Sequence, residues 1–323
     1  MKKVLFLRKK LAGENSMEEL AYNLVKHIPD MELCVLPHYS TTIKGMIKNS
    51  IYACKHQGDV NHIFSIRESY LSLFIGGRKI VTCHDVGTLK SLSFCGQIAA
   101  RLLWLYLPSF FWNVCTCISQ QTSDELSAII PWRKKNIRIV PNPVNPMFVY
   151  TPKLFGNPPV ILHVGTARRK NLLNVIKALK GLNCKLVIVG ILFPEQQEAL
   201  NCVSYPYEVY SDLSTESLVE QYVKADIISF PSSYEGFGMP AIEANAVGRV
   251  LVAGDIPVLH EVAQDAACFV NPSDVSMLHK SFERIINDEE YRNELCKKGY
   301  LNSFKNELGE KFLFLGFKEE RNN

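Results

Sequence analysis

Two carboxylates, Glu235 and Glu243, stand eight residues apart around Gly236-Phe237-Gly238 in the stretch PSSYEGFGMPAIEANAVG, Pro231 to Gly248. Pro240 suits a first helical turn, where its missing N–H costs nothing, so the pattern predicts a helix beginning near Met239. The free N–H groups of that turn and of the glycine loop can cradle an anion, because glycine lets backbone approach closely and the helix dipole favours negative charge. Phosphate is the obvious anion. A carboxylate beside phosphate is repelled unless it accepts hydrogen bonds from neutral hydroxyls, and sugars and ribose supply such hydroxyls. Either glutamate alone reads as a solvated loop or helix residue; the pair around Gly-Phe-Gly and Pro reads as a site.

Three further segments carry chemistry. ILHVGTARRKNLLNVIKAL reads as a strand ending at Gly165, a basic loop of Arg168, Arg169 and Lys170, and an amphipathic helix starting near Asn171. Cations at the end of a strand stabilise a leaving diphosphate more than its ground state. Three charges alone would read as a solvated turn. KIVTCHDVGTL ends a strand with His84 and Asp85, and a lone histidine there is more often structural than catalytic. RKKLAGENSMEEL offers Gly13 and a capping box of Ser16 with Glu19. No D-x-D motif occurs, so a divalent metal has no evident ligand set.

The elements that must hold these residues alternate. KVLFL, ELCVLP, VNHIFSI, KIVTCHD, VCTCIS and IRIVPNP are strand-length apolar runs, and PVILHVG, CKLVIVG, PYEVY, DIISFPS, RVLVAG and ACFVNP follow them with helical segments between. That is βαβ alternation, implying parallel sheets covered on both faces. The breaker-rich run Thr151 to Pro159 is the best domain linker, and 323 residues suit two doubly wound domains facing a cleft. Ligands of such sheets bind beyond the carboxyl ends of the strands. Ser214 caps one helix, and two long helical segments run from Asp274 onward.

Composition excludes several classes. The ten scattered cysteines show no C-x-x-C pair, which argues against disulfide frameworks and zinc sites and for a reducing cytoplasm. Cys115 and Cys117 fall on one face of a strand. The longest apolar stretch, Ile98 to Ser119, is broken by Arg101, Pro108 and Asn113, so a transmembrane helix is not expected. It reads as a buried helix packed on the sheet, with contact to a membrane surface as the alternative. Residues 1–148 hold 18 Lys/Arg against 10 Asp/Glu, a net +8, and the remainder 18 against 22, or −4. A basic first half suits an anionic membrane or a phosphorylated acceptor. Basic residues are not interleaved with aromatics, so nucleic acid is not an expected partner.

EGFGMPAIE resembles the E-x7-E signature of family 4 glycosyltransferases, the group 1 type, which are retaining enzymes with the GT-B fold. By that resemblance Glu235 holds donor-sugar hydroxyls, Gly236, Phe237, Gly238 and Met239 meet the sugar and diphosphate, and Glu243 holds the ribose. GTARRKN is similar to the family's basic loop, with Thr166 where arginine is frequent. It implies that Lys170 faces phosphate and leaves open which of Arg168 and Arg169 does so. The resemblance also implies a first-domain histidine near the reacting carbon, His84, a glycine loop closing on the ligands at Gly13, Asn142 in the segment leading to the link, and Glu261 near the nucleotide. The expected domains are 1–150 on the acceptor side, 151–304 for the nucleotide sugar, and a helix over 305–323 packing back on the first. The expected activity is retaining transfer of a sugar from a nucleoside diphosphate donor, without metal or other cofactor, to a saccharide or lipid-linked saccharide in bacterial surface polysaccharide assembly. A sugar-nucleotide epimerase and a non-catalytic nucleotide-sugar-binding protein are the alternatives. A glycosidase needs two carboxylates across one sugar, whereas Glu235 and Glu243 flank a phosphate nest.

Overall fold

The computed structural model describes residues 1–10, 16–90 and 92–307. The chain divides into two units, the first ending at Asn142 and the second starting at Pro143. In the first, six parallel strands are ordered β2-β1-β3-β4-β5-β6, where β1 is Lys3–Leu7, β2 Met31–Val35, β3 Val60–Ile63, β4 Arg78–Cys83, β5 Val114–Cys117 and β6 Ile137–Ile139. The central strands are buried on both sides, as near-continuous apolar runs require. Ala53, Tyr70, Leu71, Leu105 and Leu126 share one core with Phe6, Val81 and Cys115. On the other face the helix Ser16–His27 covers Leu5 and Leu7 with Ala21, Leu24 and Ile28. Cys115 and Cys117 are both fully buried, as their shared face predicts.

The second unit has strands β7 (Val160–Val164), β8 (Lys185–Val189), β9 (Tyr207–Tyr210), β10 (Ile227–Phe230), β11 (Val250–Gly254) and β12 (Cys268–Val270), ordered β12-β11-β10-β7-β8-β9 and all parallel. Chain order reverses between β7 and β10. Crevices for ligands open at such switch points, beyond the strand ends. Its core joins Ile161, Leu186, Ile188, Ile227 and Val252 to Val175, Leu278 and Phe282. Asp274 caps the helix Val275–Asn287 by accepting from Met277 N at 2.9 Å, and Ser214 caps Thr215–Lys224 from Ser217 N at 3.2 Å.

The run 151–159, expected to link the domains, belongs to the second unit, and the division falls eight residues before the expected end at 150. Buried Asp226 explains it: its carboxylate accepts from Gly156 N at 3.0 Å and Val160 N at 2.7 Å and pairs with Lys153. Phe148 meets Tyr222 edge-on, with ring centres 5.1 Å apart, and Tyr150 meets Tyr300 at a tilt, with ring centres 4.5 Å apart. Proline and glycine content signalled a break in regular structure, not freedom from the core. Of the expected helix over 305–323, residues 305–307 fall in the described helix Glu289–Glu307 and the rest lies outside the described residues.

Candidate functional site

The loops after β7 and β10 meet at the switch point of the second sheet. Asn171, in the left-handed region at φ 59°, starts the helix Leu172–Ala178, and its Nδ2 donates to Pro231 O at 2.9 Å. Ser233 N donates to Arg169 O at 2.9 Å. These bonds tie the basic loop to the glutamate loop. Gly165, at φ 92°, leaves β7 in a conformation that disfavours a side chain, and a Cβ there would lie 3.2 Å from Lys170 Cε.

Lys170 Nζ lies 2.6 Å from Glu235 Oε1 and 4.3 Å from the centre of the Phe230 ring. Both partners of the ion pair are largely buried. Burial pushes the Lys170 pKa down, and the Glu235 carboxylate pulls it back up. Glu243 also acts on it through space. The pair is therefore a desolvated charge couple, stable only while intact. Arg169 Nε is 4.0 Å from the same Glu235 oxygen, whereas Arg168 is 87% exposed and lies 3.5 Å from Glu195. The three consecutive cations thus divide into one buried, one beside the pair, and one solvated.

The glutamate loop runs into the helix Met239–Val247, which begins at the expected residue. Gly238 sits at φ 104° as its N-cap; Phe237 and Gly238 are buried, and Gly236 and Met239 are half-buried. Glu243 is buried, one turn into that helix, and accepts from the Tyr222 hydroxyl at 2.6 Å. Tyr222 is fully buried and its own pKa is driven up by burial and by Glu243. Nothing in the local sequence marks Tyr222, which arrives from a helix whose register is set by the core. His163, on β7, is likewise a residue the motif reading passed over. It is fully buried 3.3 Å from Ser229 Oγ, and burial, with the Lys170 charge, lowers its pKa to about 3. The imidazole is therefore neutral, and the Lys170 charge acts on it through space.

Of the remaining expected residues, His84 and Asn142 belong to the first unit and Glu261 to the second. His84 follows β4 in the first unit, where Phe64 O accepts from its Nε2 at 3.1 Å and the two rings meet edge-on at 4.9 Å. A carbonyl only accepts, so Nε2 carries the proton and Nδ1 is left as an acceptor. Loss of solvent lowers its pKa to about 4, with the Phe64 carbonyl opposing and Arg8 lowering it further. Asp85 is spent on a turn, accepting from Gly87 N at 2.7 Å. Glu261 is exposed and Asn142 half-buried. Gly13 and the side chain of Ser16 lie outside the described residues.

Residues 151–302 match the family of glycosyl transferases group 1. The second half of the chain is thus similar to a group 1 glycosyl transferase domain. The chain is 40% identical over 74 residues to the O-antigen chain mannosyltransferase RfbU of Salmonella typhimurium, covering 23% of this chain and 21% of that protein. It is 29% identical over 140 residues to the serotype-specific mannosyltransferase WbdA of Escherichia coli, or 39% of this chain and 17% of that one. The chain thus spans about a fifth of the length of these relatives. The structure of Anabaena HepE in complex with UDP-glucose matches over 98% of this chain and 99% of that one, with a TM-score of 0.80 and 13% identity. That likeness shows the fold, which is the GT-B class expected from the sequence. Glu235, Glu243 and the basic loop all lie within the stretch matched to the group 1 domain. Among the described residues no helix is long and apolar enough to cross a membrane.

Proposed function

We propose that this protein is a retaining glycosyltransferase that moves a hexosyl group, mannosyl by analogy with the names of its relatives, from a nucleoside diphosphate donor to an acceptor hydroxyl in bacterial surface polysaccharide assembly. The observation that carries this reading is the buried Lys170–Glu235 pair at the switch point of the group 1 domain. In it, Lys170 faces the departing diphosphate, with Arg169 as the second cation. An arriving diphosphate favours the ammonium form that burial disfavours, so donor binding and the lysine's charge reinforce each other. Glu235 accepts hydroxyls of the donor sugar, and Glu243, steadied by Tyr222, accepts those of the ribose. The glycine loop lets backbone approach the phosphates. His84, neutral and with Nδ1 as acceptor, serves a sugar hydroxyl.

The bond from the anomeric carbon to the phosphate oxygen breaks as the bond to the acceptor oxygen forms on the same face. The departing phosphate oxygen takes the acceptor's proton. No protein carboxylate is required as covalent nucleophile, and the charge that develops on the diphosphate meets cations already fixed in place. Exclusion of water protects the donor from hydrolysis. The ten free cysteines support work in a reducing compartment, where nucleotide sugars are at hand. A saccharide or lipid-linked saccharide is the proposed acceptor.

Thermal unfolding with UDP, GDP, ADP and NAD at matched concentrations tests the donor site. One diphosphate at about a hundred times its Kd is expected to add ~2.7 kcal/mol. Glu243→Gln, which retains a partner for Tyr222, is expected to lose most of that gain. With a turning-over donor, proton NMR of the product is expected to show the donor's anomeric configuration. An inverted product overturns the mechanism.

A further inference from the structure

The helix Ile43–His56 of the first unit is inside out. Its buried face carries Gly45, Asn49, Ser50 and Ala53, while Ile43, Ile47 and Ile51 are 72%, 55% and 55% exposed. Spaced four apart, they form one outward stripe. The orientation is fixed from within. Asn49 Nδ2 donates to His38 O at 2.8 Å while its Oδ1 accepts from His38 N at 3.1 Å, and a Cβ on Gly45 would lie 2.2 Å from Tyr39 O. Rolling the isoleucines inward would break both contacts, so the stripe is a built surface rather than a misplaced core.

Its electrostatics select a partner. Lys44 and Lys48 each follow an isoleucine and so lie beside the stripe, Lys55 continues that flank, and all three are exposed. No acidic residue occurs between Glu32 and Asp59. A second apolar stripe leaves the same layer. Phe94, Ile98 and Leu102 are exposed at the same spacing, with Phe110 stacked on exposed Trp132 beside Lys134 and Lys135, and the chain has no acidic residue from Val86 to Ser123. Ala53 and Leu105 pack into one core on one side of the sheet, so both stripes point outward from that side. The apolar segment expected to be a buried helix is therefore only half buried: Leu105 and Trp112 are inside, and its phenylalanines are not. Apolar stripes lined by lysine without carboxylates match a bilayer interface bearing anionic headgroups, where side chains enter the acyl boundary and ammonium groups stay at the phosphates.

We propose that this face, led by Ile43, Ile47 and Ile51, docks the first unit on an anionic lipid surface. The inference does not depend on the transferase reading. Co-sedimentation with vesicles of phosphatidylcholine alone, and with about a third phosphatidylglycerol, tests it directly. Binding is expected to the anionic vesicles, weakened by salt, with a blue shift of tryptophan emission as Trp132 leaves water. The triple variant Ile43→Gln, Ile47→Gln, Ile51→Gln is expected to lower the partition coefficient about tenfold or more. Lys44→Glu with Lys48→Glu is expected to abolish the preference for anionic lipid. Because these side chains are exposed, both variants should melt as the parent does and keep any nucleotide-induced shift, which separates this result from the fate of the donor site. Equal binding to both vesicle types, or triple-variant binding like the parent's, overturns the proposal. So does a dimer in sedimentation velocity that the isoleucine changes abolish while vesicle binding is absent, because the face would then be covered by a second copy.

Discussion

Lys170 and Arg168 sit two residues apart on a single tight turn, and their surroundings separate them by more than their chemistry does. Lys170 Nζ is 2.6 Å from Glu235 and largely enclosed, while Arg168 is 87% exposed beside Glu195. Lys170→Met leaves Glu235 buried without its closest cation, so a loss of about 3 kcal/mol in stability is expected. Transfer should fall about a hundredfold or more, the size typical of removing one fixed group that meets transition-state charge. Lys170→Met with Glu235→Gln removes the stranded charge. It should recover stability but not turnover, and that separation of melting from activity marks a group acting on the reaction. Arg168→Ala, a solvated pair, should change stability by under ~0.5 kcal/mol and activity little. If Arg168 proves the costlier residue, the assignment of the leaving-group cation is wrong.

At the scale of elements, the helix Met239–Val247 depends on one backbone conformation at its entrance. Gly238 caps it at φ 104°, and a Cβ there would stand 2.5 Å from Leu259 Cδ2 of the fully buried Leu259. Both a disfavoured conformation and a clash oppose any side chain. Gly238→Ala is expected to cost about 1–3 kcal/mol and to displace the loop bearing Glu235. Denaturant unfolding measures the first effect, and the nucleotide-induced melting shift measures the second. Gly181 makes the control: it has φ 84°, but a Cβ there would meet nothing within 4 Å, so Gly181→Ala should show only the smaller conformational cost. Motif reading found the glycines of the site loop because a turn demands them. It did not find Tyr222 or Leu259, which reach the same helix from elsewhere in the sequence.

For the whole molecule, buried histidines set a dependence on pH. Burial lowers His62 and His163 to about 3 and His84 to about 4, below the unfolded value near 6.5. Between these limits the unfolded chain binds protons that the folded chain refuses. Their contribution is therefore complete above the unfolded value and is lost as pH falls toward the folded ones, at up to ~1.4 kcal/mol per pH unit for each histidine. Buried Glu68, its carboxyl raised by desolvation, works in the opposite sense with one proton against three. Urea midpoints at pH 7, 6 and 5 should fall steadily, and a flat series contradicts the burial of these rings as neutral species. The sequence by itself determined the alternation of strands and helices, the parallel sheets and the start of the helix at Met239. All of these follow from local periodicity and from backbone demands on glycine and proline. Only the tertiary structure decided which cation is buried, that Asp226 holds 151–159 on the second unit, that Tyr222 steadies Glu243, and that an isoleucine stripe faces outward. Those outcomes depend on contacts between residues far apart in the chain, where burial fixes the strength of a charge and the choice of a helix's inner face.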